Sequence, residues 1–140
     1  MPFYKLKQHA APGICENLLF DEAERKRIQH KIANYMKQYI KNKLDKGPDG
    51  MRVTITDNMI ILRSERYLTR MEKYIIKNEP TGVATVKSIR TDAVTGIINE
   101  GGPISFIEEL VQAKAVYVVY DSYPQDEYCI IILVFDRILA

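Results

Sequence analysis

The 140-residue sequence has few of the residues and patterns that mark several classes of protein. Its two cysteines, Cys15 and Cys129, form no CxxC pair, so neither a disulfide framework nor a zinc site is predicted. The longest apolar run, residues 129–135, has seven residues, whereas a membrane-spanning helix needs about 20. GxSxG and glycine-rich phosphate-loop motifs are missing from the sequence. We therefore expect a reduced, cytoplasmic protein with no enzyme activity, metal or cofactor.

Neither sign of charge is in large excess, since 20 Lys and Arg face 18 Asp and Glu. The distribution is uneven: residues 1–50 hold ten basic and six acidic side chains, whereas residues 101–140 hold two and six. The near balance is not that of a dedicated nucleic-acid binder, and no RRM, KH, zinc-finger or helix-turn-helix motif is present. A basic front and an acidic back instead indicate surfaces of opposite charge, or simply solvated faces.

The hydrophobic pattern predicts a single α+β domain over residues 21–140, after an irregular arm over residues 1–20. Apolar residues recur at helical spacing from Ile28 to Leu44, and alternate in four short runs that are typical of strands. The predicted order is α-ββ-α-α-ββ. This order favours a two-layer fold in which helices cover an antiparallel sheet made of two β-hairpins.

Two short motifs are predicted to set the ends of helices. Gly47 and Pro48 end the first helix, with Gly47 in the left-handed cap conformation and Pro48 unable to continue the helix. Thr69 and Glu72 have the spacing of a capping box, in which each side chain accepts a hydrogen bond from a backbone N–H of the other residue.

The first hairpin is predicted to turn at Asp57 and Asn58, two residues that tolerate the backbone of a tight turn. A two-residue turn puts Arg52 opposite Arg63 on the side of the hairpin that faces away from the core. Two opposed guanidinium groups repel each other unless something neutralises them, and the candidates are Glu65 or a bound anion. A small-anion sensor at Arg52 and Arg63 is therefore one alternative function.

The first predicted helix is strongly basic. Residues 25–46 contain eight Lys or Arg and a single acid, Asp45. This basic face either has no role beyond solvation or binds an acidic or membrane-embedded protein partner. A third alternative is nucleic-acid binding through residues 25–46. The lysines that carry this hypothesis are Lys31, Lys37, Lys41 and Lys46.

The last two predicted strands, residues 115–120 and 128–135, are joined by a turn over residues 121–126. Both strands carry apolar residues on both faces, a pattern typical of strands covered on both sides. Because few helices are available to cover them, we expect a homodimer that buries part of this sheet.

Five short segments occur in a distinctive order: Lys46-Gly47-Pro48, residues 57–63 (DNMIILR), Leu68-Thr69 with Glu72, Glu108-Glu109-Leu110 and Val134-Phe135-Asp136. In order and spacing they resemble the MpsC-like domain family, over residues 25–137. The chain departs from that family at Arg70 and Met71, where the family tends to have Pro-Ala, and at Ala113, where it has Gly. Gly101-Gly102-Pro103 also interrupts a helix that is usually continuous.

The resemblance implies a non-enzymatic accessory or regulatory protein of a membrane-potential-generating, sodium or inorganic-carbon transport system. Such a protein acts by contact with other proteins. The resemblance further implies a cytoplasmic location, with a peripheral position at the membrane as a variant of it.

Overall fold

The computed structural model describes residues 3–5 and 19–140. The strands are β1 (Phe3–Lys5), β2 (Gly50–Thr56), β3 (Met59–Glu65), β4 (Ala115–Tyr123) and β5 (Tyr128–Phe135). The helices are α1 (Glu22–Leu44), α2 (Arg70–Asn78), α3 (Gly82–Glu100) and α4 (Gly102–Val111). The strands form one antiparallel sheet in the order β1-β4-β5-β3-β2. The predicted α+β class and the order α-ββ-α-α-ββ are confirmed.

The first 20 residues hold the main addition to the predicted fold. The short strand β1 pairs with β4, Phe3 opposite Val119 and Lys5 opposite Tyr117, where an irregular arm was expected. The edge of β4 has unpaired backbone groups, and a strand satisfies them whatever its side-chain pattern. Apart from residues 3–5, the arm up to residue 18 lies outside the described residues.

Helix α1 is capped at its N-terminal end by the residue that precedes it, Asp21. The side chain of Asp21 accepts a hydrogen bond from the Glu24 backbone N–H at 2.8 Å, so Asp21 is the N-cap. One stripe of the helix, with Ile28, Ile32 and Met36, is buried against the sheet. The acidic first turn and the basic last turn both suit the helix dipole.

The predicted cap at the other end of α1 is wrong in its position. Asp45, not Gly47, adopts the left-handed conformation, with φ of 65°. Gly47 is needed for a different reason: a Cβ there would lie 2.8 Å from the Lys37 carbonyl oxygen. The chain doubles back against the last turns of α1 at this point, and only glycine allows so close an approach. Pro48 follows and is buried.

The first hairpin has the predicted register. Asp57, with φ of 56°, and Asn58 form the turn, and Ile55 lies opposite Ile60. The predicted turn of the second hairpin is too long, because β4 continues to Tyr123 and only Pro124–Asp126 forms a short 3₁₀ turn.

The helices cover one face of the sheet, which makes the two predicted layers. Strand residues on this inner face are almost fully buried with α1, α3 and α4 residues in one core; among them are Val53, Ile60, Leu62, Val118, Ile131 and Leu133. The alternate residues of the same strands point the other way and are half-buried; among them are Ile61, Val119, Ile130, Ile132 and Val134. The described residues therefore leave this outer face, apolar in its centre, partly open to solvent.

The residues after β5 tie the hairpin turn to the start of α1. The Leu139 backbone N–H donates to the Asp57 carbonyl at 2.8 Å, and the Asp57 N–H donates to Ala140 at 3.1 Å. The Leu139 carbonyl in turn accepts from the Phe20 N–H at 2.8 Å, and the Leu139 side chain is fully buried.

Helices α2 and α3 meet at Gly82, the first residue of α3. A Cβ at this position would lie 2.2 Å from the Ile75 carbonyl oxygen and 2.7 Å from the Ile76 Cα, both of them backbone atoms. Gly96, in the middle of α3, has nothing within 4 Å of the same point.

We therefore expect opposite results from the same substitution at two places in α3. Gly82→Ala should lower the free energy of unfolding by about 1–3 kcal/mol, because the backbone of α2 must move. Gly96→Ala should raise it by about 0.5–1 kcal/mol, because alanine loses less entropy in a helix. Urea unfolding measures both, and a Gly82→Ala variant as stable as the native chain would contradict the close contact.

Candidate functional site

The solvent side of α1 carries a stripe of four cations: Arg27, Lys31, Lys37 and Lys41. At about 100° per residue they fall within an arc of about 120°, opposite the buried stripe of the helix. Lys37 is half-buried and the others are exposed. Within residues 19–140, none of the four forms an ion pair. We call these four residues the basic stripe of α1.

Lys46, predicted as a fourth lysine of this surface, makes contacts with other residues instead. Its Nζ donates to the Arg66 carbonyl at 3.0 Å and lies 3.4 Å from the Asp49 carboxylate. Lys46 therefore links the end of α1 to the end of β3 and is not part of the basic stripe.

The structure brings Arg52 and Arg63 together as predicted, in directly opposed positions of β2 and β3 on the outer face. Glu65, one of the two neutralising groups considered, pairs instead with Arg66, at 3.8 Å. Neither Arg52 nor Arg63 has an ion pair or a hydrogen bond from its side chain to any described residue.

A buried ion pair joins α2 and α3 and was missed by sequence reasoning. Arg90 Nε lies 2.6 Å from one Glu72 carboxylate oxygen, and Arg90 Nη2 lies 2.5 Å from the other. Nη2 also donates to the Tyr67 carbonyl at 2.9 Å, and the guanidinium lies over the Tyr67 ring. The available signal was the position of Arg90, midway between Val86 and Val94 on the apolar side of its helix.

Glu72 serves this pair and the capping box at once. Its carboxylate accepts from the Thr69 N–H at 2.9 Å, and its own N–H donates to the Thr69 hydroxyl, which confirms the predicted box. Burial alone would raise the pKa of Glu72, but the hydrogen bonds from Arg90 and Thr69 outweigh it and hold the pKa below its ordinary value.

A cavity of about 50 Å³ lies between the sheet and helices α1, α3 and α4. Its lining is almost entirely aliphatic, with Arg90, Ser64 and Cys129 as its polar exceptions beside two tyrosines. Burial raises the pKa of the Cys129 thiol, which keeps it protonated and a poor nucleophile. The cavity is therefore a mainly apolar space in the core, and the thiol that lines it stays protonated.

Residues 19–140 hold neither a metal-binding cluster nor a membrane-spanning helix. No cluster of three or more His, Cys, Asp or Glu side chains there is arranged to hold a metal ion. Of the helices that these residues form, none combines the length and the apolar content needed to cross a bilayer.

The contribution of the buried Arg90–Glu72 ion pair to the stability of the fold can be tested by substitution. Arg90→Met should lower the free energy of unfolding by about 3–5 kcal/mol, because it leaves the Glu72 carboxylate buried without its partner. The double variant Arg90→Met, Glu72→Met should lose less than the two single losses added together, since it leaves no buried charge. Urea unfolding of the four proteins gives the coupling energy.

The exposed pair Lys26–Glu22, 3.1 Å apart, provides the control, because Lys26→Gln should leave stability unchanged. Acid titration is a second readout. A lowered folded-state pKa of Glu72 stabilises the fold above pH 4.5, and that stabilisation is lost as the pH falls through the lowered value. Additive single losses, or an unchanged acid transition in Glu72→Gln, would contradict a coupled pair.

Comparison with known proteins gives a consistent result. The pattern of a family described as "Na+-translocating membrane potential-generating system (MpsC)" matches residues 24–137. The chain is similar to the uncharacterized protein YrhF of Bacillus subtilis (strain 168), with 25% identity over 108 residues, which cover 77% of this chain and 87% of that protein. No solved structure matches the chain.

The family match includes α1 from its third residue, both hairpins and all of the candidate site residues, and it confirms the resemblance seen in the short motifs. The chain belongs to the MpsC family, which carries the description "Na+-translocating membrane potential-generating system".

Proposed function

We propose that this protein is a non-enzymatic accessory component of a sodium-translocating, membrane-potential-generating system, and that it acts by protein contact from the cytoplasmic side. The family match supports the context. The observation that carries the contact role is the basic stripe of α1, whose four cations have no carboxylate partner among the described residues.

The partner that suits this stripe is an acidic surface of a membrane-embedded subunit. A row of unpaired cations on a rigid helix speeds encounter with an acidic partner and disfavours basic ones. The apolar side of α1, with Ile28, Ile32 and Met36, is buried against the sheet, so the helix has no free apolar face with which to enter lipid. This favours a protein partner over the bilayer itself.

We expect charge reversal on the stripe to abolish this association. Membranes from cells that produce tagged membrane subunits of the system should retain the native protein at low salt. Lys31→Glu with Lys41→Glu should reduce retention at least tenfold. Arg70→Glu with Lys77→Glu, the same charge change on α2, should leave it unchanged.

Two further measurements separate the alternatives. Protein-free vesicles of the same lipids should retain little of the native protein, and filter binding should detect no tight, steeply salt-dependent association with DNA or RNA. Equal retention of both double variants would overturn the role of the stripe. Failure of the native protein to bind membranes that contain the subunits would overturn the proposed function.

We also propose that the protein works as a homodimer that covers the apolar half of the outer sheet face. Two rows of this face carry the apolar residues, Ile61, Ile132 and Val119 in one row and Met59 and Val134 in the next. All five are half-buried in the single chain. A two-fold axis through these rows would bury the same patch on both subunits.

A single lysine in the middle of this patch should prevent dimerisation. Ile132→Lys should be a folded monomer at micromolar concentration, where the native protein is a dimer by size-exclusion chromatography with light scattering. Ile89→Lys makes the same change at an exposed residue of α3, which is 48% exposed, and should remain a dimer. A native protein that is monomeric at that concentration would contradict the proposed interface.

A further inference from the structure

The other half of the outer face, beyond the apolar rows, carries an unusual arrangement of charge. Arg52 and Arg63 lie side by side across β2 and β3, and the next position on β5 in the same row is the apolar Ile130. Beyond Ile130 the row reaches Asp121 on β4, whose carboxylate is already paired with Lys87 at 3.1 Å. Like charges in directly opposed positions destabilise a sheet.

The neighbouring charges do not remove this excess. Glu65 and Asp49 both lie close to Arg66, at 3.8 Å and 3.6 Å, and Asp49 is also 3.4 Å from Lys46. The two carboxylates are therefore matched by two cations of their own. The charge of Arg52 and Arg63 remains uncompensated by the described residues.

The side chain of Arg63 gives the stronger indication that an acceptor binds here. Its Nε atom is shielded from solvent and has no hydrogen-bond partner in the part of the chain that the structure describes. A buried donor on a charged group is costly to leave unsatisfied, and native proteins do so rarely. An acceptor that binds at this place would remove that cost.

The space for such an acceptor is present beside the arginines. A cavity of about 50 Å³ is lined by Gly50, Arg52, Arg63, Glu65 and Tyr128. By this measure one water molecule needs about 10–15 Å³, so the cavity has room for a small polyatomic group. Gly50 has no side chain to fill it, and a Cβ there would make only ordinary contacts, the nearest at 3.5 Å to Arg66.

We propose that Arg52 and Arg63 form a binding site for a small free oxyanion on the outer face of the β2–β3 hairpin. A guanidinium presents parallel N–H groups that match two oxygens of a carboxylate, sulfate or phosphate, and the unpartnered Nε–H of Arg63 becomes one of these donors once the side chain turns toward the cavity. The anion neutralises the opposed pair. The site does not depend on the proposed function, because it uses neither the basic stripe of α1 nor the dimer patch.

The direct test follows the side chain of Arg63. In ¹H–¹⁵N NMR spectra, the Arg63 Nε–H signal is assigned by its loss in Arg63→Gln. Sodium sulfate, phosphate and acetate are then titrated in separate arms at constant ionic strength, with sodium chloride as the balancing salt. We expect a saturable shift of this signal with at least one oxyanion, and the arms show whether a tetrahedral or a planar group is preferred.

Variants distinguish a specific oxyanion site from the general attraction of anions to positive charge. Followed through backbone amides of β2 and β3, Arg63→Lys should weaken binding at least tenfold, because an ammonium group cannot reproduce the paired donors. Gly50→Val keeps both arginines but narrows the cavity, and should weaken binding as strongly. Arg70→Gln, which removes a cation from α2, should bind like the native protein.

The unfolding temperature gives an independent test, because arginines with a merely structural role would not make it depend on an added oxyanion. In oxyanion-free buffer, Arg52→Gln and Arg63→Gln should unfold at the same or a higher temperature than the native protein, because they relieve repulsion. The native protein alone should gain stability on addition of the anion. The proposal is overturned if no oxyanion shifts the Arg63 Nε–H signal saturably, or if Arg52→Gln with Arg63→Gln binds as tightly as the native protein.

Discussion

The pairing of β3 with β5 holds the whole fold together. Met59 to Glu65 run antiparallel to Tyr128 to Val134 in seven consecutive register pairs, and this contact joins two hairpins that are far apart in the sequence. Each hairpin alone would be marginal in water. Once the two are joined, the alternation of side chains fixes which residues face the helices. The register that buries Ile60 and Leu133 also turns Arg63 and Ile130 outward, so the core and the outer face are set by the same contact.

Local signals made much of this fold predictable. The Asp57-Asn58 turn fixes the register of the first hairpin within a few residues, and it was enough to place Arg52 opposite Arg63. The capping box at Thr69 and Glu72 is equally local. Non-local contacts were not predictable in the same way. That Asp45 rather than Gly47 takes the left-handed conformation depends on how closely the chain returns to α1, a distance that no short pattern encodes.

The two arginines Arg90 and Arg63 show the same limit for the candidate site. Arg90 lies four residues from both Val86 and Val94 in a helix, and Arg63 directly follows the apolar residues 59–62 in a strand. Arg90 donates through Nε and Nη2 to a carboxylate and a carbonyl, whereas Arg63 retains a shielded donor without an acceptor among the described residues. The difference lies in which elements fold against each one. Helix α2 brings Glu72 to Arg90, whereas the cross-strand neighbours of Arg63 are Arg52 and the apolar Ile130.

The short segment after β5 adds a second link between α1 and the first hairpin, which also meet directly through the hydrogen bond from the Ile55 N–H to Gln29 Oε1 at 2.9 Å. Leu139 is hydrogen-bonded to Asp57 at the hairpin turn and to Phe20 just before α1, so one buried residue fastens both. Helix α1 therefore cannot tilt away from the sheet at its N-terminal end without pulling on the turn that aligns β2 with β3. A mechanical load applied to the start of α1 would be transmitted through Leu139 to the hairpin. The helix that carries the basic stripe and the hairpin that carries Arg52 and Arg63 are thus tied together at this end of the sheet.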